Sequence, residues 1–409
     1  MSIINLINRH ESQLTKTINL VASENLLSSD VKKALSSDLS MRYCIPPENE
    51  RPPNIWDYPN QEHIRKICSE TESLAMKLLN AEYADCRPLS GNQIAQIILM
   101  STVSKGDTVW SIPSDCGGHF ATPVIANKFG LNLVAIPYDY SRGIIDVDAA
   151  QEMAKRQHPK LIFLDASMQL FPHPLRKLRE AVGPETIISY DASHTLGLIS
   201  GKSFQDPLNE GADLLHGSTH KTFWGPQKGI ITAREKSHLS NTLNDALVPF
   251  FVSNVHVHHV AALGVAFEES RDYGEKYATA VILNAKALAS SLNLHGVNVL
   301  FQKYGATESH QVLVDLGDKA STMTLWNRLQ ACGINTNAIK LPFTESYGLR
   351  IGVAEATRRG LGVNEMQTLG LCIANSVFNL WSPEKISEVV CHMSGQYNKI
   401  LYTSNPTIV

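Results

Sequence analysis

Short apolar runs alternate with helix-length segments between residues 62 and 255, and this alternation constrains the fold more than any other feature of the chain. Such runs, bounded by turns and separated by amphipathic segments, are typical of βαβ units, whose strands form a mostly parallel sheet covered by helices on both faces. We therefore predict an α/β fold. The predicted strands cover residues 108–112, 133–137, 161–165, 187–190, 214–215 and 229–232.

The regions on either side of this alternation define the expected domains. Residues 1–60 are expected to form an N-terminal segment, 61–270 a large domain, and 271–409 a smaller α+β C-terminal domain. Within the first, residues 45–54 contain four prolines, which remove backbone donors and restrict φ. We expect this stretch to be a loop, and loops often carry functional residues.

Composition excludes several classes of protein. The chain has 409 residues, of which 43% are hydrophobic and 18% charged, with a net charge of −3 and no dense block of Lys and Arg. This balance argues against nucleic acid or an anionic membrane as the main partner. The seven cysteines never form a C-x-x-C spacing, and the first residues lack a secretory signal pattern, so we expect a reduced, cytoplasmic protein. The histidines at 256, 258 and 259 match no zinc-ligand spacing, so we expect no metal.

Lys221 is the first candidate for a reactive residue. It lies among small hydroxyl residues, just after a predicted strand and just before the Gly-Pro turn at Gly225. A lysine desolvated at such a place loses its proton more readily, and its amine can then form a Schiff base with the carbonyl of pyridoxal phosphate, PLP. A lysine in an ordinary surface loop is the alternative.

Asp191 favours the PLP interpretation. It ends a predicted buried strand, and His194 follows three residues later. PLP acts as an electron sink when its ring nitrogen is protonated, and an aspartate at the end of a neighbouring strand is a suitable partner for that nitrogen. An aspartate at a strand end can also be a simple helix cap, so the two residues are interpreted together.

The strings Asp191-Ala-Ser-His194 and Ser218-Thr-His-Lys-Thr222, followed by Gly225-Pro226, resemble signatures of the serine hydroxymethyltransferase family. The resemblance runs from Ile18-Asn-Leu-Val-Ala-Ser-Glu-Asn25 to Leu349-Arg-Ile-Gly352, in the family's order. It implies the fold of the PLP-dependent transferases of the aspartate aminotransferase type, with a mostly parallel seven-stranded sheet. It also implies PLP as cofactor and a homodimer with shared active sites.

The same resemblance assigns roles to individual residues. Lys221, Glu50, His119 and His220 are expected to be catalytic. An arginine fork binds a carboxylate through two parallel hydrogen bonds, so Arg350 is expected to hold the substrate α-carboxylate, together with Ser23, Tyr43 and Tyr58. The expected cofactor-binding residues are Ser90, Gly91 and Asn92 at the phosphate, His119 on the ring face, Ser167, Asp191, His194, Ser218 and Lys221 around the ring, and Ser253 and Asn254 at the partner subunit's phosphate.

One glutamate is expected to transfer the proton of the substrate hydroxyl. Its position depends on whether residues are counted from the N-terminal or the C-terminal side of the proline-rich loop. Counting back from Ala81-Glu-Tyr-Ala84 places the family's E-G-Y-P on Glu50-Arg-Pro-Pro53 and its second tyrosine on Tyr58, whereas counting forward from Asn25 places Ile45 there. An isoleucine cannot move a proton, so we predict Glu50. Glu48 in the same role, or both residues as solvated loop charges, are the alternatives.

The resemblance implies an enzyme that cleaves or forms the Cα–Cβ bond of a β-hydroxy amino acid, with serine, threonine or glycine as substrate and an aldehyde as co-substrate. The parts near the family's folate differ: residues 59–63 replace G-G-C-E-Y-V, Leu89 replaces a histidine, Gln227-Lys228 replaces Arg, and the loop at 337–347 is shorter. We therefore predict glycine transfer without tetrahydrofolate. A tetrahydrofolate-dependent serine hydroxymethyltransferase and a catalytically silent regulatory subunit are the alternatives.

Overall fold

The protein is described by a computed structural model that covers residues 1–44 and 58–408. Helices α1 to α14 span, in order, Ile3–Leu14, Ser29–Leu35, Gln61–Leu79, Gly91–Thr102, Ala121–Phe129, Val147–Arg156, Leu175–Val182, Leu196–Ser200, His238–Ala246, Val257–Leu294, Lys319–Ala331, Ala354–Arg358, Val363–Val377 and Pro383–Gln396. Strands β1 to β16 span Ile18–Asn19, Tyr83–Asp85, Thr108–Ser111, Asn132–Ala135, Tyr138–Asp139, Ile144–Ile145, Leu161–Leu164, Ile187–Asp191, Leu214–Ser218, Gly229–Ala233, Gln311–Gly317, Ile334–Asn335, Asn337–Lys340, Tyr347–Gly352, Lys399–Ile400 and Thr407–Ile408.

The large sheet has seven strands in the order β2-β10-β9-β8-β7-β3-β4. Strand β10 is antiparallel to both of its neighbours, and the remaining neighbours are parallel. Every residue of β7, β9 and β10 is buried, as expected where helices cover both faces of a sheet. The predicted α/β fold with a mostly parallel sheet is confirmed.

Two strands of the large sheet differ most from the sequence prediction. Strand β2 is only three residues long and was not predicted, because so short a run carries no visible alternation. It is an edge strand that pairs with β10. Strand β9 was predicted over two residues, yet it extends to Ser218, which pairs with Gly229 of β10. The extension consists of His216, Gly217 and Ser218. These residues join the sheet because the neighbouring strands β8 and β10 satisfy their backbone groups.

The C-terminal region has a three-stranded antiparallel sheet, β11-β14-β13, with helices α11 to α14 around it. The N-terminal segment joins this region, because β1 pairs in parallel with β12 through Ile18 and Ile334. The boundary expected at residue 270 lies inside α10, a single helix of 38 residues. The division into domains stays a prediction. Among the described residues, no helix has the length and apolar character needed to cross a bilayer.

A buried ion pair connects the two regions. Arg358, at the end of α12, is fully buried and donates a hydrogen bond to Glu269 of α10 at 3.0 Å. Its guanidinium also lies over the Trp224 ring at 4.5 Å, and the Trp224 indole N–H donates to Glu269 at 2.8 Å. Loss of one partner from such a pair costs about 3–5 kcal/mol, because an uncompensated charge stays buried. The pair therefore holds α12, α10 and the segment after Lys221 in one arrangement.

Candidate active site

The candidate site lies where the parallel strands β7, β8 and β9 end. Asp191 is the last residue of β8, Ser167 follows β7 by three residues, and Lys221 follows β9 by three residues. In open α/β sheets, ligands bind beyond the carboxyl ends of the strands, because loops from adjacent strands meet there. The sequence motifs that lie far apart in the chain are brought together by this edge.

A cavity of about 240 Å³ opens at this edge. The predicted residues that line it are Ser90, Gly91, Asn92, His119, Ser167, Asp191, His194, Ser218, His220 and Lys221. Sequence reasoning missed the other lining residues, which are Ala95, Thr122, Phe163, Asp165, Ala166 and Ser193. The buried Ser218 Oγ and His220 Nδ1 have no hydrogen-bond partner among the described residues, so the cavity offers polar atoms to a ligand.

Lys221 is positioned by its backbone. The Asn25 side-chain amide donates to the Lys221 carbonyl at 2.7 Å and to the Tyr277 hydroxyl at 3.0 Å. The next residue, Thr222, donates its hydroxyl to the His194 carbonyl at 2.9 Å. These bonds join the N-terminal segment, α10 and the end of β8 to the lysine. Asn25 ends the stretch Ile18–Asn25, which resembles the family. The sequence did not predict its contact with Lys221, because the two residues are far apart in the chain.

Burial lowers the pKa of the Lys221 amine to about 8. The negative charge of Asp191 opposes this effect, and the positive charge of Arg350 adds to it. At neutral pH a useful fraction of the amine is therefore unprotonated, which a nucleophilic lysine requires.

Asp191 and Ser193 fix the ends of β8 and β9 relative to each other. Asp191 Oδ1 accepts a hydrogen bond from the Ser193 N–H at 2.7 Å, and Ser193 Oγ accepts one from the Ser218 N–H at 2.8 Å. The carboxylate is therefore oriented by its own turn and remains directed at the cavity that it lines.

His194 is held as a neutral ring. Its Nδ1 lies 3.0 Å from Gln311 Nε2, which also donates to the Ser167 carbonyl at 3.1 Å. Burial, followed by the charges of Lys221 and Arg350, lowers the pKa of His194 well below its usual value. Because the Gln311 amide can only donate through this atom, Nδ1 is the acceptor. Sequence reasoning gave no signal for Gln311, which comes from the C-terminal sheet.

The first turn of α4 forms one end of the cavity. Ser90 caps this helix, and its Oγ accepts a hydrogen bond from the Gln93 N–H at 3.2 Å. A Cβ at Gly91 would lie 3.2 Å from the Ser218 Cβ, so the helix start and β9 approach closely here. Free N–H groups and the dipole at a helix N-terminus favour an anion, so this end suits a phosphate group.

Two further histidines line the cavity in neutral form. Burial lowers the pKa of His119, and burial with the charge of Lys221 lowers that of His220 to about 4. The backbone N–H of His119 donates a hydrogen bond to the backbone carbonyl of Asp165 at 3.0 Å. The preceding glycines are needed, since a Cβ at Gly118 would lie 1.9 Å from the Ile112 carbonyl oxygen.

Arg350 supplies a partly buried cation that does not line the cavity but whose charge acts on Lys221. It lies on β14 opposite Asn337 of β13, and its Nη2 donates to Asn337 Oδ1 at 2.9 Å. Within residues 1–44 and 58–408 it has no carboxylate partner. Its charge lowers the pKa of both Lys221 and His194, so it acts on the same cavity. An unpaired guanidinium of this kind suits a ligand carboxylate.

Like Arg350, five of the remaining predicted residues do not line the cavity of this chain, and a sixth lies outside the described residues. Tyr43 and Tyr58 stack on each other at 5.2 Å and are exposed by 47% and 36%. Ser253 is exposed, and Asn254 Oδ1 accepts a hydrogen bond from the Cys44 N–H at 3.3 Å. The other two are Ser23, which is partly buried in the N-terminal segment, and Glu50, which like Glu48 lies outside the described residues. The roles given to these residues stay predictions.

The fold and the cavity together define a class of enzyme. A nucleophilic lysine, an aspartate at the end of the adjacent strand and a helix N-terminus for phosphate surround one cavity, and its unpartnered polar atoms fit PLP. In this cavity Lys221 would hold the cofactor covalently, Asp191 would keep its ring nitrogen protonated, and Ser90 to Asn92 would hold its phosphate.

Comparison with known proteins agrees with this class. The profile of the serine hydroxymethyltransferase family matches residues 1–373. A serine hydroxymethyltransferase from Methanothermobacter marburgensis is 39% identical, over 97% of this chain and 94% of the relative, and one from Methanopyrus kandleri is 35% identical over 98% and 94%. The crystal structure of an L-threonine transaldolase from Pseudomonas fluorescens, in its internal aldimine state, is similar with a TM-score of 0.93 and 30% identity, covering 98% of this chain and 92% of that one.

The chain belongs to the serine hydroxymethyltransferase family. It is a PLP-dependent enzyme that cleaves or forms the Cα–Cβ bond of a β-hydroxy amino acid. The predictions of PLP as cofactor and of an active enzyme are confirmed.

The lowered pKa of Lys221 predicts a pH profile for cofactor capture. The unprotonated amine is the reactive form, so the rate at which the apoenzyme acquires its visible Schiff-base absorbance should rise with a midpoint near pH 8 and then level off. In Arg350→Gln the midpoint should move upward, because a nearby positive charge is lost. A midpoint near that of free lysine, about 10.4, would contradict this environment. Lys221→Ala that still shows borohydride-reducible lysine absorbance would assign the role elsewhere.

Proposed function

We propose that this chain transfers the glycine unit of threonine, or of a similar β-hydroxy amino acid, to an aldehyde without tetrahydrofolate. The Cα–Cβ bond of the donor breaks, its β-hydroxyl loses a proton, and the donor aldehyde leaves. A new Cα–Cβ bond then forms to the acceptor aldehyde, whose oxygen takes up a proton. PLP supplies the electron sink that stabilises negative charge at Cα.

Arg350 supports the proposal that the substrate is an amino acid, because it could bind the α-carboxylate. It is a partly buried cation whose side chain is oriented by Asn337, it has no carboxylate partner in the described part of the chain, and its charge lowers the pKa of Lys221. A bidentate grip on the substrate carboxylate would fix the orientation of the bonds at Cα. His119 and His194, both held neutral, would contact the cofactor without adding positive charge that competes with Asp191.

The β13–β14 loop supports independence from folate. It spans only residues 341–346, and the Phe343 N–H donates to the Asp115 carbonyl at 2.6 Å. The Phe343 ring packs with Tyr138 at 5.9 Å and with Phe301 at 5.2 Å. The loop is therefore short and tied down close to the segment that carries His119. The similar solved structure, titled an L-threonine transaldolase, points the same way.

The second candidate is a tetrahydrofolate-dependent serine hydroxymethyltransferase. The relatives that bear this name are 35–39% identical over nearly the whole chain, and this similarity favours the parent activity. The two proposals agree on PLP, Lys221 and Arg350. They differ in the transferred group: glycine passes to an aldehyde in the first, and a one-carbon unit passes to tetrahydrofolate in the second.

Substrate assays with and without tetrahydrofolate separate the two candidates. We expect threonine cleavage, and glycine transfer to an added aldehyde, at rates that tetrahydrofolate does not change. Glu50→Gln should abolish this activity, because its amide cannot accept the hydroxyl proton, whereas the matched variant Glu48→Gln should keep it. Both should retain the visible absorbance of bound PLP. Strict folate dependence with serine would establish the parent activity instead, and full activity of Glu50→Gln would remove Glu50 from the mechanism.

Removal of the Arg350 guanidinium tests the carboxylate site. Arg350→Gln should raise the KM for threonine by roughly 30- to 3,000-fold, since leaving a buried charge unpaired costs about 2–5 kcal/mol. Arg350→Lys should fall in between, because it keeps the charge but loses the two-pronged geometry. Arg271→Gln is the control, as this exposed arginine on α10 pairs only with its neighbour Asp272 among the described residues. An unchanged KM in Arg350→Gln would assign the carboxylate to another residue.

We propose further that the enzyme is a cytoplasmic homodimer whose sites are shared, with Ser253 and Asn254 acting at the partner's cofactor phosphate. The seven cysteines are all free thiols, in keeping with a reducing compartment. Helix α1 buries none of its residues, and it exposes Ile3, Ile4 and Leu6 by 71%, 63% and 50%. A helix with this much exposed apolar surface favours contact with another chain.

Mixing two inactive variants tests the shared site. Lys221→Ala and Asn254→Asp should each be inactive alone, yet their random mixture should recover about a quarter of the wild-type activity. Half of the dimers are then mixed, and each mixed dimer has one intact site. The control mixture of Lys221→Ala with Arg350→Ala should recover nothing, because each site then lacks one residue. No recovery in the first mixture would mean that Asn254 acts in the active site of its own chain, or in neither active site.

A further inference from the structure

The cavity contains a second carboxylate, Asp165, which the proposed chemistry does not use. Asp165 directly follows β7, and Leu164 of β7 pairs in register with Tyr190 of β8. The next pair along these parallel strands is therefore Asp165 beside Asp191. Side chains alternate between the two faces of a sheet, so residues paired in register leave the same face. Both carboxylates line the cavity, side by side.

Asp165 has no hydrogen-bond partner of its own. It is 2% exposed, and neither carboxylate oxygen makes a hydrogen bond of normal geometry with any described residue. Thr122 lies close enough to lower the pKa of Asp165, but the Thr122 hydroxyl is likewise buried without a hydrogen bond of normal geometry among the described residues. A buried carboxylate in this state is unstable as an ion unless a cation or a donor reaches it. The arrangement therefore points to a ligand in the cavity.

The surrounding charges decide which carboxylate is ionised. Burial, with the negative charge of Asp191 beside it, raises the pKa of Asp165 to about 7. Asp165 therefore carries its proton in the free enzyme below about pH 7, as expected for a buried carboxylate beside a like charge. The other titratable groups around Asp165 are held neutral by burial: Tyr138 after β4, His119 and His194 across the cavity, and His216, which pairs with Asp191 in β9.

We propose that Asp165 is a positioning acid that acts with Asp191 on the ring nitrogen of the cofactor and ionises when that protonated nitrogen enters the cavity. The inference rests on the proposed function only in requiring PLP at Lys221. The ring cation removes the repulsion between the two carboxylates, so Asp165 releases its proton to solvent and both carry negative charge. In return, the pair holds the ring nitrogen in its protonated, electron-accepting form more firmly than Asp191 would alone.

The ionisation of Asp165 and the binding of PLP are thermodynamically coupled, so the proposal can be measured without an activity assay. A cation that favours the ionised form of Asp165 binds more tightly once Asp165 is already ionised. The dissociation constant of PLP is measured for the holoenzyme and for Asp165→Asn between pH 6 and pH 8.5. Asparagine keeps the shape of the side chain but does not titrate. The dissociation constant of the variant is divided by that of the wild type. This ratio removes the effect of Lys221 ionisation on PLP binding, because both proteins contain that lysine.

We expect this ratio to rise by about fivefold between pH 6 and pH 8.5, as follows if cofactor binding lowers the pKa of Asp165 by about one unit from about 7. Glu152→Gln is the control: it removes an exposed carboxylate on α6 that does not line the cavity, so its ratio should stay constant with pH. Should Asp165→Asn fail to fold, Asp165→Ala gives the same comparison.

The outcomes separate this inference from the function on which it rests. A ratio for Asp165→Asn that does not change with pH would overturn the role of Asp165, while PLP at Lys221 would stand. A wild-type protein that binds no PLP, or carries it on another lysine, would overturn the proposed function first.

Discussion

The structure depends on the convergence of three parallel strand ends. Strands β7, β8 and β9 end at one edge of the sheet, opposite the first turn of α4, and this edge brings Asp165, Asp191 and Lys221 into one small cavity. Asp165 is buried and Lys221 is half-buried, and burial is the largest influence on the protonation of both. It lowers the pKa of the lysine and raises that of Asp165, and both shifts favour neutral forms. The chemistry is thus set by geometry that the sheet imposes.

The charges of the site are arranged for an anionic substrate and a cationic ring nitrogen. Arg350 is a cation without a carboxylate partner in residues 1–44 and 58–408, and it lies on the C-terminal sheet. Asp191 is an anion on the large sheet, oriented by the Ser193 N–H. The histidines around them are held neutral. Binding of an amino acid and PLP would therefore complete two ion pairs, and each pair has its protein partner fixed beforehand, which limits the entropy lost on binding.

The two regions that supply these charges are joined at several points. Asn25 bonds to the Lys221 carbonyl, β1 pairs with β12, and Gln311 of β11 bonds to both His194 and the Ser167 carbonyl. The buried pair of Arg358 and Glu269 adds a contact that would be costly to break. The active site is consequently positioned by residues from the first 25 positions, the large sheet and the C-terminal region together.

The sequence by itself determined the α/β class, and it predicted the lysine, the aspartate, the histidines and the helix start that the structure brings together at the cavity. These features depend on periodicity and on residue chemistry within a few positions, and local propensities act over that range. Only the tertiary structure decided the length of β9, the short edge strand β2 and the contacts of Asn25 and Gln311. The same is true of the placement of Asp165 beside Asp191. Burial and register link residues tens to hundreds of positions apart, and no local pattern records whether a carboxylate at a strand end will lose its solvent or meet another charge.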